Sequence, residues 1–177
     1  MAAKLFGTLD FTGGAASTIS RLSTILQGFG WEDQAVAART VLKSGESSAG
    51  LSMYVEFSVV STKIQVEAGY DFSGSAFVGN TMIRQSSGSG GSGSALLYVD
   101  TSWFMYFGNP LDTSPSLQEP ILGAGVINPV ASGDPNHAFS LGEYTEGGGP
   151  WDVVLTGRKG RGFSCRVNND ATHVADL

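Results

Sequence analysis

The sequence is short of the residues that many functional sites need. It has a single cysteine, Cys165, among 177 residues, which excludes an internal disulfide framework and a zinc site built from cysteines. Only 15% of the residues are charged, whereas average proteins have about 25%. Ten lysines and arginines against sixteen acids give a net charge of −6. This charge argues against a nucleic-acid-binding protein, which would need a basic face.

Long apolar stretches are also missing. No window approaches the roughly 20 consecutive apolar residues of a transmembrane helix. The opening residues "MAAKLFGTLDF" contain a charge and lack the apolar run of a signal peptide. From these absences we expect a soluble protein that is made in a cytoplasm, is not secreted and has no membrane partner.

One stretch, residues 15–29, has the spacing of an amphipathic helix. Leu22, Leu26 and Phe29 follow one another at steps of three and four and would share one face. We expect this face to pack across a sheet. The candidate ends of the helix are Thr12 or Ser17 as the N-cap and Gly28 or Gly30 at the C-terminus.

The rest of the chain favours β-structure. The 25 glycines and few charges are typical of a domain with many turns, and several stretches alternate between apolar and polar residues. We therefore predict a single, mainly β domain over residues 1–177, a β-sandwich or a barrel-like pair of antiparallel sheets, with one N-terminal helix. The predicted elements are a short strand at 41–47, a hairpin at 51–70, two central strands at 95–109 and a last hairpin at 151–167.

A Gly/Ser-rich stretch contains a spacing that is typical of nucleotide-binding loops. In "RQSSGSGGSGSALLYVD", residues 84–100, Gly88, Gly90 and Gly93 match G-x-G-x-x-G. In a dinucleotide-binding fold these glycines open a helix, whose N-terminal amides hold the pyrophosphate. Here a β-rich run follows them, and no Lys-Ser/Thr completes a Walker loop. We therefore predict a mobile hairpin loop and no nucleotide cofactor.

All six prolines of the chain fall within residues 110–150. Because each proline removes a backbone donor and fixes φ, we expect this segment to be extended and to lie outside the sheets. It either wraps over the core of its own chain or reaches a neighbour. We favour the second alternative, an inter-subunit arm. Its predicted apolar anchors are Ile121, Leu122, Val126 and Ile127.

The sequence contains no convincing catalytic or metal-binding constellation. His137 and His173 lie near acids but lack the spacing of metal ligands. Cys165 alternates with apolar neighbours, as a buried structural thiol would. The acids are scattered, and no two of them stand out as a general acid and base. We predict that the protein is not an enzyme and binds no metal or cofactor.

A short basic run interrupts this acidic chain. In "GRKGRGFSCR", four basic residues fall within nine positions, namely Arg158, Lys159, Arg161 and Arg166. They form either the solvated tip of a hairpin or a basic patch that meets an acidic surface, most plausibly on another protein. Nucleic acid is a weaker alternative, because four charges within a net charge of −6 release few counterions.

Four short motifs follow one another over about residues 15–110: "RLSTILQGFGWE", "VLKSGESSAGLSMYVEFSV", "TKIQVEAGYDF" and "LLYVDTSWFMYFGN". Their order resembles a loosely defined group of tailed-bacteriophage virion structural proteins. The resemblance implies a non-enzymatic building block of a capsid, neck, tail or baseplate. Its partners would be copies of itself and other virion proteins, and its location would be the virion.

A second class of function fits the same composition. A carbohydrate-binding β-sandwich would present exposed aromatic side chains, such as Trp103, Tyr106 or Trp151, that stack on sugar rings. In that case the partner would be a surface glycan.

Overall fold

A computed structural model of the chain describes residues 4–47, 50–79, 81–86, 93–108, 121–127 and 137–142. Within these residues, ten strands form two antiparallel five-stranded sheets, and one α-helix, α1 (Gly14–Gly28), follows the first strand. The mainly β fold with an N-terminal helix is therefore confirmed. The first sheet has the order β1 (Lys4–Asp10), β7 (Ser94–Val99), β8 (Trp103–Gly108), β9 (Ile121–Ile127) and β10 (His137–Gly142). The second sheet has the order β2 (Glu32–Asp33), β3 (Thr40–Lys43), β4 (Tyr54–Val60), β5 (Lys63–Gly69) and β6 (Met82–Ser86).

The predicted hairpin at 51–70 forms β4 and β5. Its two-residue turn begins at Ser61, whose φ of 60° lies in the left-handed region that such turns use. The turn pairs Val60 with Lys63 and thereby fixes the register of both strands. Apolar residues of β5 such as Ile64 and Val66 consequently face inward and are fully buried, while their polar neighbours face outward. The predicted last hairpin, 151–167, lies outside the described residues.

The core lies between the inner faces of the two sheets. On one side the sheets face each other directly, since β5 packs against β9 and β6 packs against both β9 and β10. Aromatic rings fill much of this space, and Phe104 packs against Phe57 with their ring centroids 5.5 Å apart. The largest fully buried side chains are Tyr106, Phe11, Phe104, Leu9, Leu22, Leu26, Leu42, Met53, Ile64, Leu97 and Leu122.

Helix α1 occupies the other side of the core, where it packs against β1, β4 and β5. Leu22 and Leu26 are completely buried, as the spacing predicted. The helix ends in a Schellman motif, in which the N–H of Gly30 donates to Gln27 O and the N–H of Trp31 donates to Leu26 O. The expected glycine at the C-terminal end is confirmed, because Gly30 takes the left-handed conformation (φ 88°) that the motif requires.

The start of the helix differs from the sequence prediction. The N-cap is Gly13, with no capping side chain, so neither Thr12 nor Ser17 plays that role. The hydroxyl of Thr12 instead donates to Asp10, 2.7 Å away. Together with the bond from the Thr12 N–H, this contact holds the pKa of Asp10 below its ordinary value. Arg21 closes the junction by donating to the Asp10 and Thr12 carbonyls.

The Gly/Ser-rich stretch is not the loop of a hairpin. It connects β6 with β7, and these strands belong to different sheets. Gly93, the last glycine of the stretch, accepts a hydrogen bond from the Phe11 N–H, and a strand rather than a helix follows it. Residues 87–92 lie outside the described residues. The stretch therefore links the two sheets, so a two-residue turn, which joins paired strands of one sheet, could not replace it.

The prediction that residues 110–150 stay outside the sheets is wrong for two parts of that segment. Residues 121–127 form β9, which pairs with β8 on one side and with β10 on the other. Leu122 and Val126 are completely buried in the core of their own chain, so they are not anchors on a neighbour. The prediction failed because the prolines flank this stretch, at Pro120 and Pro129, and leave its seven residues free to pair. Of Ile121 and Ile127, only the backbone is described, and it lies in β9.

The first prediction concerns the contact between helix and core. Leu26→Ala should lower the free energy of unfolding by about 2–5 kcal/mol, because it leaves a cavity where a fully buried side chain was. Ser20→Ala, on the exposed face of the same helix, should change it by no more than about 0.5 kcal/mol. Urea denaturation of both variants measures the difference. Equal, small effects would show that the helix does not seal the core.

The second prediction concerns a close approach between β8 and β9. Gly125 pairs with Trp103, and a Cβ added at Gly125 would overlap the Cβ of Trp103. Gly125→Ala should therefore destabilise the fold by about 1–3 kcal/mol or more, as overpacking does. Gly28→Ala is the control, because its Cβ would meet nothing within 4 Å. It should be neutral or stabilising by up to about 1 kcal/mol. Thermal unfolding of both variants checks the contrast.

Candidate functional site

The most elaborate surface structure lies on the outer face of the second sheet. Residues 70–79, which we call the strap, connect β5 to β6 and fold into a small hairpin of their own. Phe72 and Phe77 form a β-bridge, and the N–H of Val78 donates to Asp71 O at 3.0 Å. At the tip, the N–H of Ser73 donates to Ala76 O around Gly74, whose φ is 86°. The strap is therefore an ordered element rather than a loose connection.

Aromatic side chains hold the strap against the sheet. Phe72 stacks on Tyr54 of β4, with their ring centroids 5.7 Å apart, and meets Phe77 edge to face at 5.3 Å. Tyr54 pairs with Gly69, where a Cβ would lie only 3.0 Å from the Phe77 Cδ1. The missing side chain at Gly69 thus leaves room for the ring of Phe77. Together these residues form a second apolar cluster, separate from the main core.

Arg39 joins this cluster to the sheet. Its Nε donates to the Glu56 Oε1 at 2.7 Å, and its Nη2 donates to the Glu56 Oε2, so the ion pair is bidentate. Its Nη1 donates to the carbonyl of Ser75 at the tip of the strap. The Cζ of Arg39 also lies 5.6 Å from the centroid of the Phe72 ring, within the range of a cation–π contact. A single guanidinium therefore fixes the strap to β4.

Two carboxylates face each other beneath Arg39. Glu56 of β4 and Glu67 of β5 are directly opposite in the register, an arrangement that is unfavourable for two like charges. The bonds from Arg39 to Glu56, together with attraction to both carboxylates, raise the pKa of Arg39 above its ordinary value, although desolvation opposes the shift. Arg39 thus compensates for a repulsion that the hairpin register imposes.

The loop that carries Arg39 has an unusual backbone. Ala35 and Ala38 have φ angles of 51° and 58°, in the left-handed region where a Cβ costs roughly 1–2 kcal/mol. Local hydrogen bonds hold this shape, since Asp33 Oδ1 accepts from the Ala35 N–H and the Arg39 N–H donates to Val36 O. Left-handed residues of this kind tend to cluster at functional sites. Here they direct Arg39 onto the strap.

Glu56 serves here as the partner of Arg39, because both of its oxygens accept hydrogen bonds from that guanidinium. Within the described residues, no three His, Cys, Asp or Glu side chains are grouped so that they could hold a metal ion.

Three large apolar side chains on and beside the strap are about half exposed: Tyr70 at 47%, Val78 at 51% and Ile83 at 49%. Ile83 pairs with Glu67 across the β5–β6 ladder, and Asp71 follows Tyr70 in an exposed position. We call these five residues, Glu67, Tyr70, Asp71, Val78 and Ile83, the strap surface. It combines three half-exposed apolar side chains with two acidic ones.

The aromatic residues named for glycan stacking are placed differently from that prediction. Tyr106 is completely buried and meets Phe11 edge to face at 5.6 Å, so it offers no exposed platform. It points inward because it alternates with Trp103, which is half-buried on the outer face of the first sheet. Four residues of the other predicted sites lie outside the described residues: Trp151, Arg158, Lys159 and Arg161.

Sequence reasoning missed every residue of this site. A usable signal was present for one pair, because a two-residue turn at 61–62 places Glu56 opposite Glu67. No comparable signal exists for Arg39, which reaches Ser75 and Phe72 across a separation of more than thirty residues.

Comparison with known proteins leaves the site to be interpreted from its own geometry. No protein-family model, no curated protein and no solved structure matches the chain. Over the part of the chain that the structure describes, no helix is long and apolar enough to cross a membrane.

The third prediction concerns Arg39. In Arg39→Ala, amide hydrogen exchange at Ser73 and Val78 should become faster, because the strap loses its anchor, while exchange at Val66 in β5 should stay unchanged. Arg21→Ala is the matched control, since it removes a guanidinium that binds at the start of α1. Unchanged exchange in the strap would show that its aromatic contacts suffice without Arg39.

Proposed function

We propose that this chain is a non-enzymatic structural subunit of a bacteriophage virion that acts through protein–protein interfaces. Its place would be that of a capsid decoration, neck, tail or baseplate component. The resemblance of residues 15–110 to virion structural proteins supports the virion assignment. The observation that carries the interface assignment is the strap surface, an ordered element that presents half-exposed apolar side chains to solvent.

The strap surface has the properties that favour a protein interface. Because the bridge between Phe72 and Phe77 and the bonds of Arg39 already order the strap, a partner would lose little conformational entropy on binding. Tyrosine is enriched among the residues that dominate binding energies, and Tyr70 is half exposed. Apolar side chains surrounded by polar groups are typical of interaction sites on soluble domains.

The fourth prediction tests incorporation into particles. In purified particles of the phage that encodes the chain, quantitative mass spectrometry should find it at a fixed copy number per particle. Val78→Asp should reduce that number, because it replaces a half-exposed apolar side chain of the strap surface with a charge that a partner would have to bury. Val60→Asp is the control, since Val60 is similarly exposed (41%) but lies at the β4–β5 turn. Absence of the wild-type chain from particles would contradict the proposal.

A carbohydrate-binding module is the second candidate, and one observation favours it. Tyr70 is half exposed, and the exposed residue Asp71 follows it in the sequence; an aromatic side chain combined with a few polar groups is a common way to hold a small ligand such as a sugar. A glycan array probed with the wild-type chain and with Tyr70→Ala would test this candidate. Binding that Tyr70→Ala abolishes would support it, and no binding by the wild-type chain would remove it.

A further inference from the structure

We infer that the strap surface docks the basic run of a second copy of this chain, residues 158–166 ("RKGRGFSCR"). The inference rests on the proposed function, because it names the partner and the contact of the interface proposed there. It follows from the apolar character of the strap surface, from its charge and from the distribution of basic residues along the chain.

The apolar part of the strap surface calls for a partner that covers it. Tyr70, Val78 and Ile83 are each about half exposed, and removing apolar surface from water favours association. The basic run contains one large apolar residue, Phe163, among its charges. A partner of mixed basic and apolar character therefore matches the surface.

The charge of the strap surface selects a cation. Glu67 and Asp71 belong to it, and Arg39 does not neutralise both, because Glu56 already engages that guanidinium at two oxygens. Arg84, the residue after Ile83, pairs with Val66 in the register and so belongs to the opposite face of the sheet. The five residues of the strap surface therefore include two acids and no base.

The matching positive charge is concentrated in one place in the sequence. Residues 158–166 hold four of the ten lysines and arginines of the chain and no acid. In a chain of net charge −6, two copies would repel one another unless such a run met an acidic surface. Charge complementarity thus selects the basic run of another copy as the occupant.

This contact would be heterologous, because the strap surface and the basic run are different parts of the chain. A heterologous contact joins copies head to tail and produces a ring when the rotation closes, or a filament when it does not. Either product suits a subunit that is repeated in a particle.

A charge-swap experiment on the full chain tests the contact. One variant, called the acidic variant, replaces the two acids of the strap surface by Glu67→Lys with Asp71→Lys. The other, called the basic variant, replaces three cations of the basic run by Arg158→Glu, Lys159→Glu and Arg161→Glu. Sedimentation velocity at low salt should show oligomers for the wild type, and each variant alone should associate at least about tenfold more weakly because like charges then face each other. An equimolar mixture of the two variants should recover association and form a heterodimer or larger mixed oligomers, because both contacts between unlike variants then join opposite charges.

Two controls keep the result specific. Glu32→Lys with Glu46→Lys makes the same charge change at two exposed positions outside the strap surface and should leave association unchanged. Asp71→Lys alone repeats the acidic test at an exposed position, in case Glu67→Lys disturbs Arg39. Circular dichroism of each variant checks that the sheets have formed.

Three outcomes would overturn the inference. One is a wild-type chain that stays monomeric at every salt concentration, and another is a mixture that forms no heterodimer. The third is a monomer in which the basic variant speeds hydrogen exchange of the strap, because the run would then dock on its own chain. The copy number in particles is a separate readout, so the chain could still be a virion subunit bound to other proteins if self-association fails.

Discussion

The inner faces of both sheets are apolar, and burying them in one core is the constraint on which the rest of the structure depends. Strands β5 and β6 close one side of this core directly against β9 and β10, while α1 closes the other side. Leu22 and Leu26 provide the buried surface of the helix, and the Schellman motif behind them turns the chain so that Trp31 also enters the core. The indole N–H of Trp31 then donates to Asp100 O, which ties the end of the helix to the first sheet.

The burial of the inward-facing residues of the second sheet determines which residues lie opposite one another on its outer face. Because Val55, Val66 and their neighbours must face the core, the register of β4 and β5 is fixed, and it places Glu56 opposite Glu67 on the outside. Arg39 relieves this repulsion and, with its remaining donors, anchors the strap. The candidate site is thus built on a consequence of core packing, which explains why a surface feature is so firmly connected to the scaffold.

The sequence predicts the elements whose pattern is local and misses those that depend on distant contacts. The α1 spacing and the β4–β5 alternation were sufficient because burial follows directly from their periodicity. Strand β9 was missed because the exclusion of proline from paired strands was extended to the proline-free residues between Pro120 and Pro129. The link from β6 to β7 was mistaken for a hairpin loop, since composition does not reveal that its two ends lie in different sheets. The candidate site was not predicted because Arg39, Tyr54 and Phe72 come together only in the folded chain.

The position of β1 has a consequence for the order in which the chain folds. Strands β2 to β6 pair only with their neighbours in sequence, so the second sheet can assemble while the chain is still leaving the ribosome. Strand β1 precedes all five of these strands in the chain but pairs with β7, so Lys4 cannot pair until Val99 has been synthesised. Until then the apolar residues Leu9 and Phe11 have no sheet to join, and closing so long a loop slows the step that buries them. Strand β1 is therefore synthesised before the second sheet but paired after it, and a nascent chain held before residue 94 would expose it to chaperones.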